Sequence, residues 1–294
     1  MATISLAAAP PPTHLGTPCG LNQAVSLRQR LEGTALAEAI DSLFVPMIID
    51  EDSFRPDDFV AHEDPLDFHT VLAQELPGLE TIVAQVTPFT TVSDLERRVR
   101  RARQQGIGRM VFVGVPREYE ESEVIGLYPD QALSYFRDLM PGRGVITIPL
   151  RPHEHDRLAA KVASGANFAV TQMLYGPAVI ELLGSLLETV ETLPEIILSF
   201  GYVPAIEADH ALIQWLIQDP RAQEEMEWVK ATARCSSEER HRRLVEVFRQ
   251  IVEGVHDLGI RPGLNFEAPY GLSQGAIDTF ESMLEIYDPR MVTA

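Results

Sequence analysis

Gly165-Ala-Asn-Phe-Ala-Val-Thr-Gln-Met-Leu-Tyr-Gly176 is a short apolar run that ends in a polar amide, Gln172, beside Tyr175 and a glycine. A buried parallel strand that delivers one hydrogen-bonding side chain to a site reads this way, apolar along its length and polar at its tip. The run lies between two helical patterns, residues 154–164 and 177–190. The same unit of apolar run, polar tip and helix recurs along nearly the whole chain.

Upstream, residues 3–9 form a first apolar run that stops at Pro10-Pro11-Pro12, which cannot donate to a sheet ladder. A helical pattern over 23–40 leads to a second strand over 43–49, ending in Asp50-Glu51-Asp52. A short helix over 66–76 precedes a strand over 81–86 that carries Gln85 near its end. Leu95, Val99 and Ala102 mark one face of the next helix, and 110–115 reads as a fourth strand, running into Pro116-Arg117. A helix over 131–139 and a strand over 144–149 complete the first half. Downstream, Pro194 marks the entry to a strand over 195–200, and a largely helical insertion follows Gly201-Tyr202-Val203-Pro204. Its last helix opens on a capping-box signal, Ser236 with Glu239, and carries Leu244, Phe248, Ile251, Val252 and Val255 at helical spacing. The eighth strand covers 263–267, and Ile277, Phe280, Leu284 and Tyr287 face inward from a closing helix.

Eight such alternations predict an α/β chain folded as a single (β/α)8 TIM barrel over residues 1–294, with a helical insertion after strand 7. An open doubly wound sheet would show a glycine-rich phosphate turn after an early strand, and none is present. With 294 residues and 45% hydrophobic content the chain can bury a large core. Its net charge of -19, from 24 Lys and Arg against 43 Asp and Glu, argues against a nucleic-acid partner. Cys19 and Cys235 are too few for a disulfide framework or a zinc ligand set, and suit a reducing compartment. No stretch reaches the apolar length of a membrane span, and the first residues lack the basic flank of a secretory signal. The expectation is a cytoplasmic protein with no membrane partner; the sequence says nothing about its oligomeric state.

Active sites of this architecture form where the strands finish. The residues there are Asp50, Glu51, Gln85, Arg117, Arg151, Gln172, Tyr175, Tyr202, Glu267 and Tyr270. Amides, carboxylates and aromatic rings suit a flat heteroaromatic ligand rich in donors and acceptors, such as a pterin. Blander roles stand beside that one. Asp50 and Glu51 also read as a solvated charge run, Gln85 and Gln172 as amides bonding a barrel rim, and Arg117 and Arg151 as partners of surface carboxylates. Glu267 ends a buried strand, where an unpaired carboxylate is costly, so it is either a site residue or half of a salt bridge. His153 and His155 lack a third metal ligand. No nucleophile elbow, Walker loop, His-Glu-x-x-His or Cys-x-x-Cys is present.

Several segments, taken in order, are similar to one family. They are Gln85-Val-Thr-Pro-Phe89, Phe112-Val-Gly-Val-Pro-Arg117, Arg143-Gly-Val-Ile-Thr-Ile-Pro149, Thr171-Gln-Met-Leu-Tyr175, Leu198-Ser-Phe-Gly-Tyr-Val-Pro204, Trp215-Leu-Ile-Gln-Asp-Pro220 and Glu267-Ala-Pro-Tyr-Gly271. Together they resemble the methylenetetrahydrofolate reductases of actinobacteria, in the branch that works without a flavin. The resemblance implies a (β/α)8 barrel that binds 5,10-methylenetetrahydrofolate and passes hydride directly from NADH or NADPH to the methylene carbon. It assigns Gln172 to the pterin edge and Asp50 and Glu51 to the neighbourhood of the folate. Gln85, Tyr175, Tyr202 and Tyr270 become substrate contacts, Arg117 and Arg151 contacts of the nicotinamide co-substrate, and Glu51 and Glu267 the candidate catalytic acids.

One position departs from the family. Where its members read Glu-x-x-Pro-Pro, this chain has Ala7-Ala-Ala-Pro10-Pro11. The missing carboxylate is the one expected to protonate folate N10 and open the five-membered ring, and general acid help of this kind is worth about 10²–10⁴ in rate. Three readings follow: a reductase with a relocated acid, a folate-dependent one-carbon transferase in a specialised pathway, or a non-catalytic folate-binding protein.

Overall fold

The computed structural model describes residues 2–15, 19–49, 59–114, 124–205, 212–213, 217 and 222–287. Eight parallel strands close in chain order: β1 (Ile4–Ala7), β2 (Ser42–Val45), β3 (Glu80–Val86), β4 (Arg109–Val113), β5 (Gly142–Thr147), β6 (Phe168–Thr171), β7 (Glu195–Gly201) and β8 (Gly263–Glu267). The helices around them are α1 (Cys19–Leu31), α2 (Ala35–Ala39), α3 (Pro65–Glu75), α4 (Val92–Gln104), α5 (Pro129–Tyr135), α6 (Glu154–Ala163) and α7 (Ala178–Thr189). After β7 come α8 (Gln223–Ala233) and α9 (Ser237–Asp257), and α10 (Gln274–Ile286) follows β8. This is the TIM barrel that the alternation predicts, with the helical insertion in the expected place.

Local chemistry sets the boundaries. The pattern over 23–40 is two helices, because Gly33 takes a left-handed φ of 75° and Thr34 then caps α2, accepting from the Ala37 amide at 3.1 Å. β2 stops at Val45, before Pro46. The Ser236 hydroxyl caps α9 by accepting from the Glu239 amide at 3.2 Å.

Alternation along each strand sends one set of side chains to the helices and the other into the lumen. Phe44, Ile82, Val111, Phe168, Val170 and Ile197 fill the lumen. Gly144 lacks a side chain where the Phe168 ring lies, which lets that ring cross the barrel. On the outer side, aromatic pairs dock the helices. Phe280 of α10 stacks on Phe266 of β8 at 4.7 Å, and Phe248 of α9 meets Phe200 of β7 edge-on at 4.7 Å. All four rings are at most 2% exposed, and burial of each contributes about 1.5–3 kcal/mol. These contacts hold β7 and β8, and hence whatever stands at their tips.

The amino end of the barrel is closed by charge. Arg109 of β4 pairs with Glu195 of β7 at 2.6 Å and donates to the Thr3 hydroxyl at 2.6 Å, while its guanidinium lies 4.3 Å over the Phe168 ring. Glu195 also accepts from the Thr3 amide and hydroxyl. Among the described residues no helix is long and apolar enough to cross a membrane.

Candidate active site at the carboxyl end of the barrel

Glu267 ends β8 with its side chain on the lumen side, two residues beyond Asn265. β1 and β8 pair Ile4 with Leu264, Ser5 with Asn265 and Leu6 with Phe266, so the next rung sets Ala7 beside Glu267. Paired strands lie about 5 Å apart, so the Glu267 carboxyl group stands one strand away from position 7. On its other side Glu267 is in register with Gly201 of β7.

Polar side chains of three strands support this carboxyl group from below. The Ser5 hydroxyl donates to Asn265 Oδ1 at 2.9 Å, and Asn265 Nδ2 donates to Ser199 Oγ at 3.0 Å and to Glu267 Oε1 at 3.0 Å. Ser199 also hydrogen-bonds the Glu267 carboxylate. Ser5, Ser199 and Asn265 are at most 1% exposed. Among the described residues no cation stands against Glu267. Burial pushes its carboxyl up to about 7, with the hydrogen bonds from Ser199 and Asn265 opposing the rise. A carboxylic acid that holds its proton near neutral pH is suited to general acid work.

Tyr175 stands next to it. Its hydroxyl and the Met173 sulfur occupy the space that a side chain at position 201 would take, which requires glycine there. The phenol is 4% exposed and held well above its usual range by burial, then by Glu267 and Tyr270. Gln172 continues the lumen-facing parity of Phe168 and Val170, its amide N–H donating to the Thr147 carbonyl at 2.8 Å. Its side chain donates to no other described residue and lines a cleft with Tyr175, Gly176, Pro149, Ile217 and Glu225. The empty space there is about 350 Å³, counted out to open solvent.

The structure therefore brings Glu267, Tyr175 and Gln172 together, with the partly exposed Tyr270 in the loop after β8. Arg151 lies in the loop after β5, partly exposed. Gln85 and Tyr202, expected as substrate contacts, are not brought to the mouth. Gln85 shares the helix-facing parity of Val83; it accepts from Arg98 of α4 and donates to the Val86 carbonyl at 2.7 Å. Tyr202 follows lumen-facing Gly201 and so points outward, edge-on to Phe280 at 6.5 Å with its hydroxyl against Gly275. Asp50, Glu51 and Arg117 lie outside the described residues. His153 and His155 sit beside Asp156, and no group of three possible metal ligands occurs among the described residues.

The sequence reading passed over Ser5, Ser199 and Asn265. Each is a polar residue at lumen parity in an otherwise apolar strand, and that parity was the available signal.

A closed parallel barrel with a carboxyl group raised to about 7, a phenol and an amide that has no side-chain partner among the described residues at its carboxyl end defines a (β/α)8-barrel protein of the kind that builds small-molecule sites at the strand tips. Residues 1–291 match the family model described as mycobacterial methylenetetrahydrofolate reductase. The chain belongs to that family. A search of curated protein sequences finds no match. Among solved structures, one similar fold is an uncharacterized protein from Clostridium thermocellum described as binding two copies of 5-methyl-5,6,7,8-tetrahydrofolic acid. It has a TM-score of 0.68 and 19% identity, over 99% of this chain and 96% of that one. Another is an F420-dependent secondary alcohol dehydrogenase in complex with an F420-acetone adduct, with a TM-score of 0.56 and 11% identity, over 98% of this chain and 99% of that one. At these identities the two share the fold.

Proposed function

We propose that the protein reduces 5,10-methylenetetrahydrofolate to 5-methyltetrahydrofolate, taking hydride directly from NADH or NADPH without a flavin, and that Glu267 is its general acid. The observation that carries this reading is the register of β1 with β8, which continued by one residue sets Ala7 beside Glu267: the family's first-strand acid is gone, and a carboxyl group with its proton held up to about pH 7 stands on the adjacent strand. Glu267 gives its proton to folate N10, the N10–methylene bond breaks, and the carbon left on N5 as an iminium accepts hydride from the reduced nicotinamide. The products are 5-methyltetrahydrofolate, the oxidised nicotinamide and the Glu267 carboxylate, which regains a proton from solvent. Gln172, which lines the cleft, holds the pterin edge, because one amide meets both a donor and an acceptor of that ring. Tyr175 and Tyr270 border the substrate, and Arg151 and Arg117 meet the dinucleotide. Asp50 and Glu51 belong near the folate by family position. Support for a reduced folate comes from family membership and from the Clostridium thermocellum barrel of the same fold, described with such a ligand.

A second reading, transfer of the methylene carbon to another acceptor or folate binding without catalysis, is favoured by Ala7 itself. NADH loss in the presence of methylenetetrahydrofolate separates the two. The reductase reading expects turnover by the natural chain, loss in Glu267→Gln, and partial recovery when Ala7→Glu is added to Glu267→Gln, since the carboxyl group then returns on the neighbouring rung. Folate binding with no NADH consumption under any of these conditions would move the assignment to the second reading.

A further inference from the structure

Ser5, Asn265 and Ser199 lie beneath the mouth, at most 1% exposed, where they do not reach a ligand. Polar groups so placed in an apolar lumen are costly unless they are paired, and these pair with one another and with Glu267. The pairing has a direction. Asn265 Oδ1 accepts from the Ser5 hydroxyl at 2.9 Å, which turns Nδ2 toward β7 and the mouth. Its two hydrogens go to Ser199 Oγ and Glu267 Oε1, each at 3.0 Å. Glu267 Oε1 receives this N–H, and a proton on that oxygen would oppose another hydrogen; the Ser199 hydroxyl, which also bonds the carboxyl group, can turn its hydrogen or its lone pair to the other oxygen, so the amide favours Oε2 as the carrier.

We propose that Asn265 is a positioning residue that donates to Glu267 Oε1 and so directs the acid's proton to Oε2, with Ser5 setting the orientation of its amide. β1 thus lacks a carboxylate at position 7 yet supplies, two residues earlier, the hydroxyl that orients the one on β8. This rests on the reading of Glu267 as the general acid. Among the described residues the groups facing Glu267 are few. β1 and β7 place Ala7 and Gly201 beside it, Ser199 and Asn265 lie beneath it, and the titratable neighbours are the phenols of Tyr175 and, next to that, Tyr270.

The test is the pH dependence of kcat/KM for methylenetetrahydrofolate reduction in Asn265→Ala. A protonated acid is required, so activity falls on the alkaline side as Glu267 ionises. Loss of a donor to the carboxylate makes ionisation harder, and that limb moves up by about one pH unit. An amide merely filling space would lower the rate and leave the limb where it was. Were the amide turned the other way, with Oδ1 accepting from the protonated acid, the limb would move down. Either result overturns the proposal. Ser5→Ala, a milder change, carries the same prediction with a smaller upward displacement and serves if Asn265→Ala does not fold. An infrared titration of the Glu267 carboxyl group, identified by subtracting Glu267→Gln, reads the same displacement without turnover. If Glu267→Gln keeps full activity, the assignment of the acid fails. If it is inactive and Asn265→Ala leaves the limb in place, the positioning role alone fails.

Discussion

The barrel holds a carboxylate at each end of its lumen, and the two are treated in opposite ways. At the amino end Glu195 faces the Arg109 guanidinium and accepts from Thr3 on β1, so its charge is compensated on the spot. At the carboxyl end Glu267 has, among the described residues, neutral hydrogen-bond partners, Asn265 and Ser199, and answers burial by keeping its proton up to about pH 7. A paired carboxylate closes the floor of a barrel. An unpaired one that is still well supported by hydrogen bonds is available for proton transfer.

The sharpest way to break this contrast is to neutralise each carboxylate in turn. Glu267→Gln should lower kcat/KM for methylenetetrahydrofolate reduction by about 10²–10⁴ while leaving circular dichroism unchanged. Glu195→Gln, assayed well below its melting point, should leave kcat nearly as it was.

Stability against pH sharpens the contrast from the other side. The folded chain binds the Glu267 proton more tightly than the unfolded chain, where the carboxyl has its ordinary value near 4.5. The contribution of this group is therefore full below that pH and falls as pH rises toward 7. At about 1.4 kcal/mol per pH unit the loss levels off at roughly 3 kcal/mol. Denaturant melts of the natural chain and Glu267→Gln at pH 5 and pH 8 should show the variant gaining relative stability by up to that amount at the higher pH. At the floor, Glu195→Ala strands the Arg109 guanidinium. Both side chains are partly solvated, 17% and 31% exposed, so the expected cost is about 2–3 kcal/mol, below that of a fully buried pair. The smallest effect belongs to the cleft. Gln172→Ala should weaken folate binding about tenfold by calorimetry, the worth of one hydrogen bond to a polar ring edge, with stability unchanged.

The alternation of apolar runs and helices exposed the barrel, because a parallel strand buried on both faces has no other economical pattern, and Gln172 and Glu267 stood out as polar endings of such runs. What the linear reading lacked was closure. Ala7 and Glu267 stand at opposite ends of the sequence, and only the pairing of β8 with β1 makes them neighbours, so their adjacency was not legible in the linear order. Gln85 and Tyr202 sit off lumen parity: side chains alternate with a period of two residues, which sets both toward the helix layer. The split of the helix over 23–40 followed from Gly33 and Thr34, a stop and a cap that an apolar stripe running across them concealed.

The reductase assignment rests on the proton held by Glu267. Infrared difference titration of the natural chain, with Glu267→Gln as the blank, measures it directly. A carboxyl band that disappears with a midpoint near pH 7 is the expected result. A midpoint near 4.5, the ordinary value of a solvated glutamate, would remove Glu267 as the general acid and contradict the reductase assignment built on it.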